Sequence, residues 1–580
     1  MLVSIIFVDF LIIDVGALYL ALNIIAIISF MNKLIKISIF IIIVFSLNKV
    51  VAQGKHVPEK PKLIVSIVVE QMRYELLQRY WSKFSENGFK KLVNGGVLCK
   101  NAYYNYLITE SAPGYATVVT GTTPSNHGIV SDYWYQRLKG SKQFCVDDEN
   151  LTNTLPHFDN HKYSPHLIIG STLGDELRIS NYKQSKVIGV SLKSYAAVLS
   201  SGHLANEAYW FDDKTAYWTS SAFYVDSLKD WVNEFNEKKI IDIYLLNEWN
   251  TILPLNNYKE SLADNNSYEE GFKNGQNTFP YDLKTLSGIY GKEIIKYTPY
   301  GNTYTKDFAI AAIVNEKLGK DNFPDMINIG FSTTSYVNEL FGIRSVELED
   351  IYLRLDKDIS HLLNFLDDFV GKENVLIVLT SDRGASDNQK FYKEIGMPTG
   401  KFNSDKSISV LESYLKAIYG RANWIKAYHN RQIYLNQLLI ETSKISLAEI
   451  QLKAAQFINQ FKGISDATTA TVLQTTSFSE GIHEKFQNSY NLQRSGDVLI
   501  SLKPGWIEVN NHKESIAYFK QSSPYRYDRH VPVIWYGWKI SSKEILKPVH
   551  ISDIAPTISE LLNIAYPTGA TGTPIEGLVN

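Results

Sequence analysis

Cysteine is nearly absent from this chain: Cys99 and Cys145 are the two in 580 residues. So few cannot build a disulfide-dense scaffold. An excess of either charge sign is missing too. Lys and Arg number 58 against 60 Asp and Glu, a formal charge of -2, and nothing in that balance points to nucleic acid. The chain also lacks an internal repeat and a low-complexity linker, so it is not a solenoid or a string of tethered modules. What it has is length and 45% apolar side chains, enough for one large core or two domains.

The amino terminus stands apart from that core. Met31-Asn-Lys-Leu-Ile-Lys36 is basic, Ile37 to Leu47 is apolar, and Val50-Val51-Ala52 precede Gln53 with small residues suited to cleavage. Residues 31–52 therefore read as a secretory signal peptide. Residues 1–30 precede a complete signal and carry Asp9 and Asp14, which would be costly in lipid, so they read as an over-extended start, with a genuine extra membrane segment as the alternative. The expected location is periplasmic or secreted, with no membrane attachment after cleavage. Export allows Cys99 and Cys145 to pair. A disulfide between them would tie the strand before Ser111 to the loop after it, worth about 3–4 kcal/mol; two free buried thiols are the alternative.

Apolar runs that end in polar residues recur along the chain. Lys62-Leu-Ile-Val-Ser-Ile-Val-Val ends at Glu70, Lys186-Val-Ile-Gly-Val-Ser-Leu at Lys193, Met326-Ile-Asn-Ile-Gly-Phe at hydroxyls up to Ser335, and Val375-Leu-Ile-Val-Leu-Thr-Ser at Asp382 and Arg383. Such runs suit central parallel strands. Between them lie helical periods, the clearest being Leu348, Ile351, Tyr352, Leu355, Ile359, Leu362 and Leu366. The pattern predicts an α/β fold with a mostly parallel central sheet flanked by helices and its site along the carboxyl edge of the strands. Residues 60–212, 297–387 and 501–580 form this core. Residues 213–296 read as an inserted cap over the site, and 388–500 as a small α+β insertion.

The most specific stretch runs from Tyr106 to Trp134. Ser111-Ala-Pro-Gly opens an apolar run closed by Gly121, which predicts a helix with Ser111 at its N-cap, where oriented amides favour an anion. Taken with Thr120-Gly121 and Pro124-Ser-Asn-His-Gly-Ile129, the stretch resembles the nucleophile segment of the alkaline phosphatase superfamily, in its type I phosphodiesterase branch. The likeness continues through Val68-Val-Glu-Gln-Met-Arg73, Gly202-His203, Gly301-Asn-Thr303, Arg494-Ser-Gly-Asp-Val498 and Asp553-Ile-Ala-Pro-Thr557. Over residues 60 to 578 the chain is similar to secreted, phosphate-irrepressible bacterial alkaline phosphatases.

The resemblance implies two zinc ions around a Thr or Ser nucleophile, and that set is heavily altered here. Ser111 stands at the nucleophile and Glu70 at the strand-end metal Asp. Ser335 and Glu339 replace the Asp and His of the Asp-x-x-x-His motif. Asp382 keeps its place, but the following His is Arg383, and the late metal His is Gln521. Asp132 replaces the phosphate-contacting Asn. Lys193 survives from a Lys-x-Arg pair whose Arg is Tyr195. His127, His203 and His530 are expected to pack, and His483 is a further nearby imidazole.

The resulting expectation is a pseudophosphatase with no cofactor, in which Arg383 among Glu70, Asp382 and Ser111 supplies the charge that a metal supplied. It would retain a pocket for a phosphate ester or other anionic ligand near Lys193 and Arg383. The alternative is an active phosphomonoesterase or phosphodiesterase using Ser111 and one Mg, Mn or Ca ion on the oxygen donors Glu70, Asp382 and Glu339. Oligomeric state is not readable from the sequence.

Overall fold

The computed structural model describes residues 18–40, 58–151, 162–510 and 522–579. Residues before Glu59 form one unit and the rest another. In the first, Leu18–Phe40 is one continuous helix of 23 residues with mean hydropathy 1.8. That is long and apolar enough to cross a membrane, as many signal sequences are. It runs through Met31 without a break, and the expected cleavage region at 50–52 lies outside the described residues.

The second unit is built on a ten-stranded sheet. Its strand order is Lys543–Ile545, Val97–Tyr103, His530–Gly537, Val375–Thr380, Leu63–Val69, Asp325–Phe331, Val187–Ser191, Glu207–Phe211 and Trp218–Thr219, with Val549–His550 paired beside Val97–Tyr103. The five from Val375–Thr380 to Glu207–Phe211 are mutually parallel, and His530–Gly537 runs against them. Register brings their carboxyl ends level: Val69 lies beside Phe331, Val68 beside Thr380 and Gly330 beside Ser191. The polar residues that close these runs thus meet along one edge.

Alternation along the Leu63–Val69 strand explains the layers. Leu63, Val65, Ile67 and Val69 join one apolar cluster, whereas Ile64 and Val68 belong to clusters on the opposite side. The helix Val346–Phe369 buries the apolar stripe read from the sequence, Leu348 to Leu366, in the first of these clusters.

The region 213–296 folds into short helices, among them Asp230–Glu237 and Leu283–Tyr290, and a two-stranded ladder of Glu248–Trp249 with Tyr281–Asp282. Val232, Phe235, Trp249 and Tyr281 join the same cluster as the Val346–Phe369 helix. Only Asp213 and Lys214 of this region line the cavity described below. The second insertion is an α+β subdomain. A four-stranded antiparallel sheet, Ile425–His429, Gln432–Leu435, Val498–Leu502 and Ile464–Thr469, carries the helices Ser404–Tyr419 and Leu447–Ile458 over an apolar core of its own. Its pairing extends past 500, since Trp506–Val509 pairs with Gly400–Asn403.

The expected disulfide is not formed: Cys99 and Cys145 are both free and buried. Cys99 sits within a strand, paired across to Val533 and Ile545, in the apolar cluster that holds Trp535. Cys145 follows the hairpin of Tyr133–Gln136 and Ser141–Phe144 and packs in another cluster, beside Trp134 and Ile129. Each serves as a small core residue. Burial pushes the Cys99 thiol up to about 12 and raises that of Cys145 as well, so neither is a reactive thiolate. Non-reducing mass spectrometry after denaturing alkylation is expected to find both sulfurs modified; a mass two hydrogens lighter and unalkylated would show the bond.

Candidate active site

Glu70 is the residue that the other strand ends converge on. It follows the central strand and is fully buried. Its Oε2 accepts from Lys193 Nζ at 2.6 Å and Ser335 Oγ at 2.6 Å, and its Oε1 from Ser332 Oγ at 2.8 Å and Tyr115 OH at 3.2 Å. Lys193 also donates to Ser335 Oγ at 2.7 Å, and its ammonium stands 4.6 Å from the Tyr336 ring centre. Burial opposes that ammonium, but Glu70 first and Glu339 next outweigh it and hold its pKa above the usual lysine value. All four donors to Glu70 come from the chain itself.

The helix Ser111–Thr120 begins at Ser111, with Glu110 as the flanking cap residue, one position earlier than its sequence predicts. Gly114 allows the close seating of this helix: a Cβ there would meet the Asp382 carbonyl oxygen at 2.0 Å. Ser111 lines the pocket together with Asp132, Tyr195 and Arg383. Asp132 turns its Oδ1 onto the Ala112 amide at 2.8 Å. One of the helix donors that would otherwise greet an anion is therefore already taken. Glu110 in turn accepts from Ser131 Oγ at 2.5 Å and the Asp132 amide at 2.8 Å, and Asn430 of the α+β subdomain donates to Ser131 Oγ at 2.9 Å.

Arg383 does not stand on Glu70, contrary to the expectation from sequence. Burial opposes its charge, and Asp382, Asp528, Glu339 and Asp132, in that order, outweigh the burial and raise its pKa. Lys193 has taken the Glu70 carboxylate because its strand, Val187–Ser191, ends level with Gly330 and next to the Ser332–Ser335 turn. Asp382 Oδ1 accepts from the Gln71 amide at 2.8 Å. Burial first, and the Glu70 charge second, push the Asp382 carboxyl up to about 6 against the pull of Arg383.

The pocket in front of these residues holds about 440 Å³ and is lined by Ser111, Asp132, Lys193, Tyr195, Glu339 and Arg383 together with aromatic rings; Tyr195 has its phenol pKa raised, chiefly by burial. Most of the residues expected at the site are thus brought together, Ser335 lying just behind at Lys193. Gln521 lies outside the described residues. The four histidines singled out from the sequence lie elsewhere. His127 is buried against Thr117 Oγ1 at 3.1 Å, His203 meets the Gly170 carbonyl at 3.1 Å, His483 pairs with Asp466 at 3.5 Å, and His530 stacks between Tyr74 and Tyr103 at 4.6 Å each.

Zinc does not fit this donor set. Among the described residues no His or Cys lines the pocket, and catalytic zinc takes imidazole or thiolate nitrogen and sulfur in preference to oxygen alone. The single hard cation fares no better: among the described residues no group of three His, Cys, Asp or Glu could hold a metal ion, and the Glu70 oxygens are saturated. Sequence reading missed Ser332, Tyr115 and Asp528. Ser332 was legible as a hydroxyl ending its strand, whereas Tyr115 and Asp528 carry no local signal of what they face.

A mostly parallel α/β sheet with a serine-headed helix at its carboxyl edge, opposite converging carboxylates, is the arrangement of a phosphoesterase fold of the alkaline phosphatase kind. The chain belongs to the type I phosphodiesterase / nucleotide pyrophosphatase family, which residues 64–528 match. It is 36% identical over 531 residues to the alkaline phosphatase PafA of Elizabethkingia meningoseptica, covering 91% of this chain and 96% of that one. It is 34% identical to the alkaline phosphatase PhoV of Synechococcus elongatus, covering 94% and 99%. A Myroides odoratus protein described as a calcium-transporting ATPase is 36% identical over 521 residues, covering 89% and 94%. The crystal structure of wild-type PafA, at 36% identity, aligns with a TM-score of 0.84 over 91% of this chain and 100% of that one.

Two outcomes follow from the buried charges. Lys193→Met leaves Glu70 without its counter-charge at a site 0% exposed and is expected to destabilise by about 3–5 kcal/mol; adding Glu70→Gln should recover most of that in denaturant unfolding. Because the folded Asp382 pKa, about 6, exceeds its ordinary 3.8, the folded state binds the extra proton between those values, and this residue's contribution to stability falls as pH rises. Asp382→Asn is expected to flatten the fall in Tm between pH 4 and 7 relative to the parent protein; an unchanged slope would contradict the assignment.

Proposed function

We propose that this alkaline phosphatase family protein is a catalytically silent, exported member: it keeps the fold and the pocket and has lost metal-dependent ester hydrolysis. The buried Glu70–Lys193 pair carries this reading. A lysine ammonium can balance the charge of Glu70, but it is tethered, already engaged by Glu70 and Ser335, and cannot polarise an attacking and a leaving oxygen together as a metal pair would. Hydrolysis of phosphate monoesters needs acceleration of up to about 10²¹-fold, and a positioned acid or base contributes roughly 10²–10⁴. Ser111 with Asp382 and Arg383 falls far short of the difference. The aliphatic helix Leu18–Phe40 and the small residues at 50–52 support export to the periplasm or beyond.

The test is p-nitrophenyl phosphate hydrolysis by purified protein with and without added zinc, alongside elemental analysis. Turnover at background, unchanged by zinc, with no stoichiometric metal, is expected. Turnover that scales with zinc and vanishes in Ser111→Ala would overturn the reading.

A further inference from the structure

Two carboxyl groups outside the pocket are buried without a counter-charge. Glu347, in the first turn of the helix Val346–Phe369, is 0% exposed. Its Oε1 accepts from Tyr281 OH, and its Oε2 has no hydrogen-bond partner among the described residues. Glu269 meets it from the inserted region 213–296. Both carboxyl oxygens of Glu269 are buried, and neither has a hydrogen-bond partner among the described residues.

The charges that bear on this pair are of its own sign. Glu347 and then Asp264 act on Glu269, and Asp264 and Asp350 act on Glu347. Arg344 and Asp387 line the same small cavity as Glu269, but Arg344 donates its Nε to Asp387. Two ionised carboxylates placed here would hold like charges out of water with three acceptors unmet, a costly arrangement. A proton on either one removes a charge and turns an acceptor into a donor. Burial first, and Glu347 second, raise the carboxyl pKa of Glu269; burial raises that of Glu347 against the pull of the Tyr281 hydrogen bond.

The pair lies where a piece of the insertion docks. The Leu262 amide donates to the Arg344 carbonyl at 2.8 Å and the Glu270 amide to the Leu340 carbonyl at 2.9 Å. Phe272 packs edge-on against Tyr281 at 5.1 Å and Phe341 at 5.3 Å. The docked piece in turn holds the stretch that follows Arg383, since the Tyr268 carbonyl accepts from Asn388 Nδ2 at 2.9 Å and the Tyr268 ring stands 5.9 Å from that of Phe391.

We propose that Glu269 and Glu347 form a proton-operated latch: protonated, they keep residues 262–281 docked on the helix Val346–Phe369 and on Asn388, and ionised, they release them. The docked form holds protons that the released form gives up at the ordinary glutamate value of 4.5. Docking therefore weakens as pH rises above that value and goes on weakening until the raised values are passed. Release is alkaline. The inference is independent of whether the pocket hydrolyses esters.

Hydrogen exchange of the full-length protein tests the latch, read in peptides that contain Leu262 and Glu270 and corrected for the intrinsic pH dependence of exchange. Protection there is expected to fall by about ten-fold per pH unit between about pH 6 and 8, while a peptide containing Val65 of the central strand stays level. Glu269→Gln, which fixes a neutral side chain of the same shape, should make that slope shallower, and adding Glu347→Gln should abolish it. A level profile in the parent protein overturns the latch without recourse to any variant. So does a slope that Glu269→Gln leaves unchanged or that survives in the double variant. Protection restored at pH 8 by calcium chloride but not by sodium chloride would make the pair a cation site and overturn it equally.

Discussion

A carboxylate sealed from water at the end of a central strand must be balanced, and here it is balanced from within the chain. An unpaired buried charge is among the costliest features a fold can carry. Glu70 meets this demand through Lys193, with Ser332, Ser335 and Tyr115 completing its shell. These partners come from the ends of two neighbouring strands and from the serine-headed helix, so the ion pair ties together the very elements whose level register makes the edge. The site and the core are therefore not separable: removing the charge of Lys193 would loosen the junction of three strands.

The same economy of donors runs through the rest of the edge. The Ala112 amide faces Asp132, the Gln71 amide faces Asp382, and Arg383 sits within a ring of acids. In a phosphoesterase such groups would be held ready for an incoming oxyanion. Here the protein's own carboxylates already accept from the two amides, which places the negative partner inside the molecule. The fold depends on the apolar strands and helices, and the chemistry of the edge on the side chains at their ends.

Much of this was legible in advance. Apolar runs closed by Glu70, Lys193, Ser335 and Asp382 gave the sheet and the edge where its site lies, since a parallel strand buried on both faces can carry polar groups only at its ends. The stripe from Leu348 to Leu366 gave the long helix. Which cation would answer Glu70 was not legible, because Lys193 and Arg383 are both one side chain's length from the edge and only strand register decides between them. The cysteine pairing failed for a related reason: proximity to Ser111 along the chain says nothing about which sheet face a residue presents, and Cys99 and Cys145 fall into separate apolar clusters. The stretch 213–296 read as an inserted cap, and its buried Trp249 and Tyr281 rings join the cluster that holds the long helix.

The hairpin that joins Ile425–His429 to Gln432–Leu435 turns through Asn430 and Arg431, both at positive φ. Asn430 is also the residue whose amide reaches Ser131, and through it Glu110 at the head of the serine helix. A subdomain with an independent core thus reaches, through a conformationally constrained two-residue turn, the segment that carries Asp132 to the pocket wall. A tilt of that subdomain would be transmitted to the segment through one hydrogen-bonded hydroxyl, making the insertion a lever arm whose fulcrum is a two-residue turn.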